Sequence, residues 1–137
     1  MGIDLFRLDN RGAAPRFDDD VYFRSTAQAW PLVVEVLAAV GVLDQAMACP
    51  GDEVPDRLAR RSPVAGCVPA WKVLSSEGWH VVPDECVAIA DALEAVVRAT
   101  RTLLPDLDDD ERARLELVER FARFNRTAAP HGGYAVC

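Results

Sequence analysis

Apolar residues in this chain alternate with polar ones over a few short stretches and recur at helical spacing elsewhere, and the switches between these periods lay out its elements. Ile3 to Leu8 alternates, with Ile3, Leu5 and Arg7 on one face and Phe6 and Leu8 on the other, and predicts a strand. A polar stretch from Asn10 to Asp20 predicts a loop. Val21-Tyr22-Phe23 has the aromatic and β-branched content of a second short strand. The two strands are expected to pair as a hairpin across that long loop. From Trp30 the period lengthens. Trp30, Val33, Val34, Leu37 and Val40 mark one helical face, and Leu32 and Val36 widen it. Ser25 or Thr26 can cap this helix, Pro31 fits only its first turn, and Gly41 is its expected stop.

Trp79-His80-Val81-Val82 predicts a short strand that runs straight into a second long helix. Pro83 suits the first helical position, and Asp84 and Glu85 place negative charge on the helix dipole. Cys86, Ile89, Ala90, Leu93, Val96, Val97 and Thr100 share one face, and Pro105 ends the run. A third helix opens in Asp108-Asp109-Asp110-Glu111 and reaches about Arg126, with Leu117, Val118, Phe121 and Phe124 turned inward and Leu115 and Ala122 alongside. Glu116 and Arg120, and Glu119 and Arg123, are spaced for ion pairs along it. Gly132-Gly133 permits a sharp reversal that returns Tyr134-Ala135-Val136 to the sheet. Residues 44–78 are punctuated by Pro50, Gly51, Pro55, Pro63, Gly66, Pro69 and Gly78; a short helix over Pro55 to Arg61 and a turn or two over Ala70 to Ser75 are the elements expected there. The resulting expectation is an α+β fold over residues 1–137 as one domain. Three main helices pack on a small, mostly antiparallel sheet of short strands, and residues 44–78 form a Pro/Gly-rich middle segment.

Composition narrows the functional classes. The 137 residues carry a net charge of −7, which disfavours nucleic acid and anionic membrane and suits a basic partner. Arginine supplies all the basic residues but one, Lys72, a bias typical of a GC-rich bacterial genome. The run from Ala27 to Leu43 holds Gln28, Pro31 and Glu35 and is read as a buried helix, not a membrane span. Charges at Asp4, Arg7 and Asp9 leave no apolar leader core, so the cytoplasm is the expected location and Cys49, Cys67, Cys86 and Cys137 are expected to be free thiols.

Candidate chemistry is sparse. His80 and Cys86 are spaced like His131 and Cys137, so these four residues are the one conceivable zinc set, although short Cys/His knuckles are absent. Cys86, in the first turn of a helix and close to His80, is the best candidate nucleophile. Its acidic neighbours Asp84 and Glu85 oppose thiolate formation, and a packing cysteine explains it as well. Glu35 suits a raised-pKa acid or a solvent-facing stripe. Consecutive aspartates diverge in direction and do not encircle calcium. The arginines of the last helix interleave with Glu111, Glu116 and Glu119, as on a salt-bridged exposed face. No phosphate-cradling loop, nucleophile elbow or His-Glu-x-x-His helix occurs.

Gly2-Ile3-Asp4-Leu5-Phe6, Tyr22-Phe23, Trp30 ahead of an apolar helix, Gly78-Trp79-x-Val81-x-Pro83-x-Glu85, and Phe121 to Phe124 before Gly132-Gly133-Tyr134 are scattered landmarks. Together they resemble a functionally unassigned family of small bacterial single-domain proteins. The resemblance implies one domain and brings no cofactor and no site residue. The function expected from the residues is a non-enzymatic protein-binding domain, an acidic immunity-type or accessory protein that takes a basic partner through Asp18, Asp19, Asp20, Asp52, Glu53 and Asp56. The alternative is a small zinc- or cysteine-dependent enzyme using His80, Cys86, His131 and Cys137. A homo-oligomeric accessory subunit, with Trp71 or Trp79 at its interface, is the third expectation.

Overall fold

The computed structural model describes residues 2–10 and 21–137. The expected loop of Asn10 to Asp20 lies outside the described residues from Arg11 onward. Among the described residues, four strands form an antiparallel sheet in the order β2-β1-β6-β5: β1 Gly2–Arg7, β2 Tyr22–Thr26, β5 Trp79–Val81 and β6 Tyr134–Val136. Three long helices join it, α1 Trp30–Ala39, α3 Pro83–Leu103 and α4 Asp109–Ala128. The fold is α+β, as the change of period along the chain predicts.

Register explains the burial. Leu5 pairs with Phe23 on one side and Val136 on the other, and Val136 in turn opposes Trp79, so one face of the sheet carries Leu5, Phe23, Val136 and Trp79. That face receives Phe121 and Phe124 of α4. Phe23 lies 5.4 Å from Phe121 and 5.8 Å from Phe124, while Trp30 meets Phe121 edge-on at 5.3 Å. Each such ring pair adds about 0.5–1.5 kcal/mol to the burial of its surface. The opposite face carries Asp4, Phe6, Tyr22, Arg24, His80 and Cys137. There Tyr22 Oη donates to Asp4 at 2.5 Å, and Arg24 lies 3.7 Å from the same carboxylate.

The reversal before β6 depends on Gly133. Its φ is +85°, and a Cβ placed there would lie 2.0 Å from the Val81 carbonyl oxygen, so the hairpin-like return to β5 excludes any side chain. Helix α1 begins at Trp30 with Pro31 in its first turn, and Thr26 Oγ1 accepts the Ala29 amide just ahead of it. Glu35 is exposed, so the solvent-facing stripe is the reading that holds.

The middle segment departs from expectation. Over Pro55 to Arg61 only a 3-10 turn forms, Arg57–Ala59, entered through Asp56 at φ +54°. A left-handed residue at the entry leaves no continuous helical turn to extend. The segment instead gains a two-residue parallel ladder that the sequence did not suggest, β3 Leu43–Asp44 with β4 Val68–Pro69; the single-turn helix α2 Trp71–Leu74 then follows within the span expected for it, Ala70 to Ser75. Strand β2 begins one residue later than expected and runs on to Thr26, where Ser25 continues the buried face beside Ile3.

Candidate binding surfaces

The conceivable zinc set does not assemble. Cys86 is buried on the sheet side of α3 and its Sγ lies 3.6 Å from the Val81 carbonyl. His80 alternates to the far face of β5, on the side to which Cys137 falls just after β6. His131 Nδ1 stands 3.1 Å from Asp9. Among the described residues no three His, Cys, Asp or Glu side chains gather as a metal would require. Burial, with Glu85 adding to it, pushes the Cys86 thiol up to about 12, so it remains a protonated packing group at neutral pH.

Cys86 instead borders a buried polar centre. Lys72, on α2, and Glu85, on α3, are both in the core and bridge at 2.7 Å. The same Glu85 oxygen accepts the Val82 amide at 3.0 Å, closing the first turn of α3, while Oε2 has no partner. Burial presses the lysine down and the glutamate up, and each opposes the other's shift through its charge. Tyr134 comes within reach from β6. Its buried hydroxyl is raised well above its ordinary range by desolvation first and by Cys86 and Glu85 next, with Asn125 opposing the shift. A hollow of about 60 Å³ beside Arg61, Ser62 and Cys67 extends to Glu85. Nothing in this centre is open to a substrate-sized molecule. Its chemistry is that of a structural ion pair.

The expected acidic surface divides in two. Asp18, Asp19 and Asp20 lie outside the described residues, whereas Asp52, Glu53 and Asp56 are exposed on the loop before the 3-10 turn. Arg57 organises that loop. Its guanidinium sits 4.6 Å over the Trp79 ring, donates to the Pro50 carbonyl and approaches Asp52 at 3.7 Å and Glu77 at 4.0 Å. Trp79 and Trp71 pack edge-on at 4.4 Å and both are buried, so neither tryptophan is placed at a surface for a second copy.

The most distinctive surface belongs to the α3–α4 pair, which lies antiparallel along its length. Arg126 of α4 grips Glu94 at 2.7 Å and Asp91 at 2.6 Å on α3, and toward the other end Arg101 of α3 meets Glu119 of α4 at 2.5 Å. The expected pairing of Glu119 with Arg123 is present at 3.9 Å through Oε1, while Oε2 holds Arg101. Glu116 and Arg120 form no pair among the described residues; Arg120 lies instead 5.4 Å over the Phe23 ring. Between the two cross-helix ties runs a crevice of about 450 Å³, with Val97 and Ala122 among the residues that line it. At the turn beyond Arg101, Leu103 is 76% and Leu104 55% exposed. Asp106, Asp108, Asp109, Asp110 and Glu111 follow them, all exposed, with Asp108 capping α4 by accepting the Glu111 amide at 2.8 Å.

Sequence patterning missed both the buried pair and the leucine corner. The sole lysine of an arginine-rich chain was a usable signal for the first, and Leu-Leu-Pro followed by an acidic run was one for the second. Among the described residues no helix is long and apolar enough to cross a membrane. Compared with known protein families, with curated proteins and with solved structures, the chain finds no match.

Proposed function

We propose that the chain is a non-enzymatic protein-binding domain that docks through the corner between α3 and α4. The observation that carries this reading is the exposure of Leu103 and Leu104 beside five exposed carboxylates, Asp106, Asp108, Asp109, Asp110 and Glu111. Large apolar side chains left in water cost free energy that a partner recovers on contact, about 1.5–3 kcal/mol for a fully buried leucine. The acidic surround speeds encounter with a basic surface and sets its orientation. Cap and dipole account for the acids nearest α4, but they give no reason for two adjacent leucines to stand out from the fold. The exposed Asp52, Glu53 and Asp56 form a second acidic element without a comparable apolar centre.

The partner on this reading is a basic, amphipathic protein segment, and an immunity-type domain that neutralises a basic toxin is one form it takes. The test is titration of the isotope-labelled protein with a helical peptide of alternating leucine and arginine faces, followed by backbone NMR. Amide shifts centred on residues 103–111, lost in Leu103→Ser/Leu104→Ser and weakened by salt, are the expected result. Self-association through the same leucines, or shifts confined to residues 50–61, would sink the proposal.

A further inference from the structure

The crevice between α3 and α4 interrupts a ladder of cross-helix ion pairs. In the antiparallel arrangement Asp91 and Glu94 answer Arg126 at one end, and Glu119 answers Arg101 at the other. The positions between these ties are Arg98 on α3 and Arg123 on α4, and both line the crevice. No carboxylate among the described residues lies within ion-pair distance of Arg98, and Arg123 stands 3.9 Å from Glu119 Oε1, whose other oxygen holds Arg101. Four arginines, Arg98, Arg101, Arg123 and Arg126, therefore line one hollow of an acidic protein against two glutamates, Glu94 and Glu119. Val97 and Ala122, which also line it, are 6% and 2% exposed. Both Arg98 and Arg123 are exposed, so each keeps guanidinium donors that an anion entering the crevice can take as charge-assisted hydrogen bonds. The volume of about 450 Å³ falls within the size range of small-molecule sites, about 300–1,000 Å³.

From this geometry we infer that the crevice is a binding site for a small amphipathic anion, with an oxyanion head between Arg98 and Arg123 and an aliphatic body against Val97 and Ala122. A carboxylate and a phosphate monoester share the head chemistry. A guanidinium donates paired hydrogen bonds to either, and the apolar wall supplies the contact that an inorganic ion lacks. The site is distinct from the leucine corner, and its occupation completes the ladder that ties α3 to α4.

The test uses the whole protein and four probes, octanoate, octyl phosphate, octanol and inorganic phosphate, followed through the methyl NMR signals of Val97 and Ala122. Octanoate or octyl phosphate is expected to shift those methyls saturably, and the tighter of the two identifies the head group. Inorganic phosphate and octanol are expected to bind at least tenfold more weakly. Arg98→Gln/Arg123→Gln changes two exposed side chains, gives up only the 3.9 Å contact to Glu119 and leaves the Arg101 and Arg126 bridges in place, so it is expected to keep the fold and lose at least tenfold in affinity. Arg112→Gln/Arg114→Gln removes the same two charges from exposed positions outside the crevice, and this charge-matched control is expected to retain binding. The inference is overturned by methyl signals that do not saturate with either amphiphile, by octanol binding as tightly as octanoate, or by unchanged affinity in the double variant.

Discussion

Lys72 is the one lysine of a chain that otherwise uses arginine, and it sits in the core against Glu85. The ammonium is compact and needs three acceptors at most, whereas a guanidinium brings five donors into a site that offers little beyond one carboxylate oxygen. The pair binds α2 to the first turn of α3. Lys72→Met leaves Glu85 buried with only the Val82 amide, and it is expected to cost about 3–5 kcal/mol in urea unfolding. Lys72→Met/Glu85→Gln keeps an acceptor for that amide and removes the stranded charge, so it is expected to recover most of the loss. Equal losses in both variants would show that packing and not charge governs the site. Cys86, one residue along α3, shares this surrounding and owes its inertness to it.

At the scale of elements, Asp44 ties the start of the segment between β3 and β4 to its later part, beside the contacts that Arg57 makes. Asp44 Oδ1 accepts the amides of Ala46 and Met47 at 3.0 and 3.2 Å, and Oδ2 accepts the Ser62 hydroxyl at 2.5 Å. The Ser62 bond, followed by the two amide bonds, holds this carboxyl below its ordinary value against the opposing effect of burial. A carboxyl whose folded value is depressed stabilises the fold above its unfolded value, about 3.9, and that contribution disappears as pH falls through the folded value. Asp44→Asn is therefore expected to be less stable than the parent at neutral pH. The gap should close as urea midpoints are followed from pH 6 towards pH 2, and a gap independent of pH would contradict the assignment. This segment also marks where the sequence stopped being legible. Long helices and paired strands announce themselves by repeated spacing, and α1, α3, α4, β1 and β6 were readable for that reason. A two-residue ladder such as Leu43–Asp44 with Val68–Pro69 has no period to detect. Its anchor is a hydrogen-bond set spanning eighteen positions, from Asp44 to Ser62. Surface sites were legible only as charge, because neither the exposure of Leu103 nor the bridge from Arg101 to Glu119 follows from spacing along one helix.

At the scale of the whole molecule, β6 joins what the sequence holds farthest apart. It pairs with β1 through Leu5–Val136 and with β5 through Trp79–Val136, so it bridges the two halves of the sheet. Truncation after Gly133 removes Tyr134 and Val136, both fully buried, and leaves β1 open along one side. The truncated protein is expected to keep much of its far-ultraviolet helical signal while losing a cooperative thermal transition; a sharp transition near the parent's would show that the sheet closes without β6. The same topology governs the order of events during synthesis. The β1–β2 hairpin can form once Thr26 has emerged, yet its neighbour is not made until residue 134, a wait on the order of ten seconds at about 5–20 residues per second. Throughout that interval a ready-made strand edge is offered to any extended chain nearby. The protein is thus most vulnerable to the wrong pairing while it is being born, and crowding of nascent copies on one message is the circumstance its architecture tolerates least.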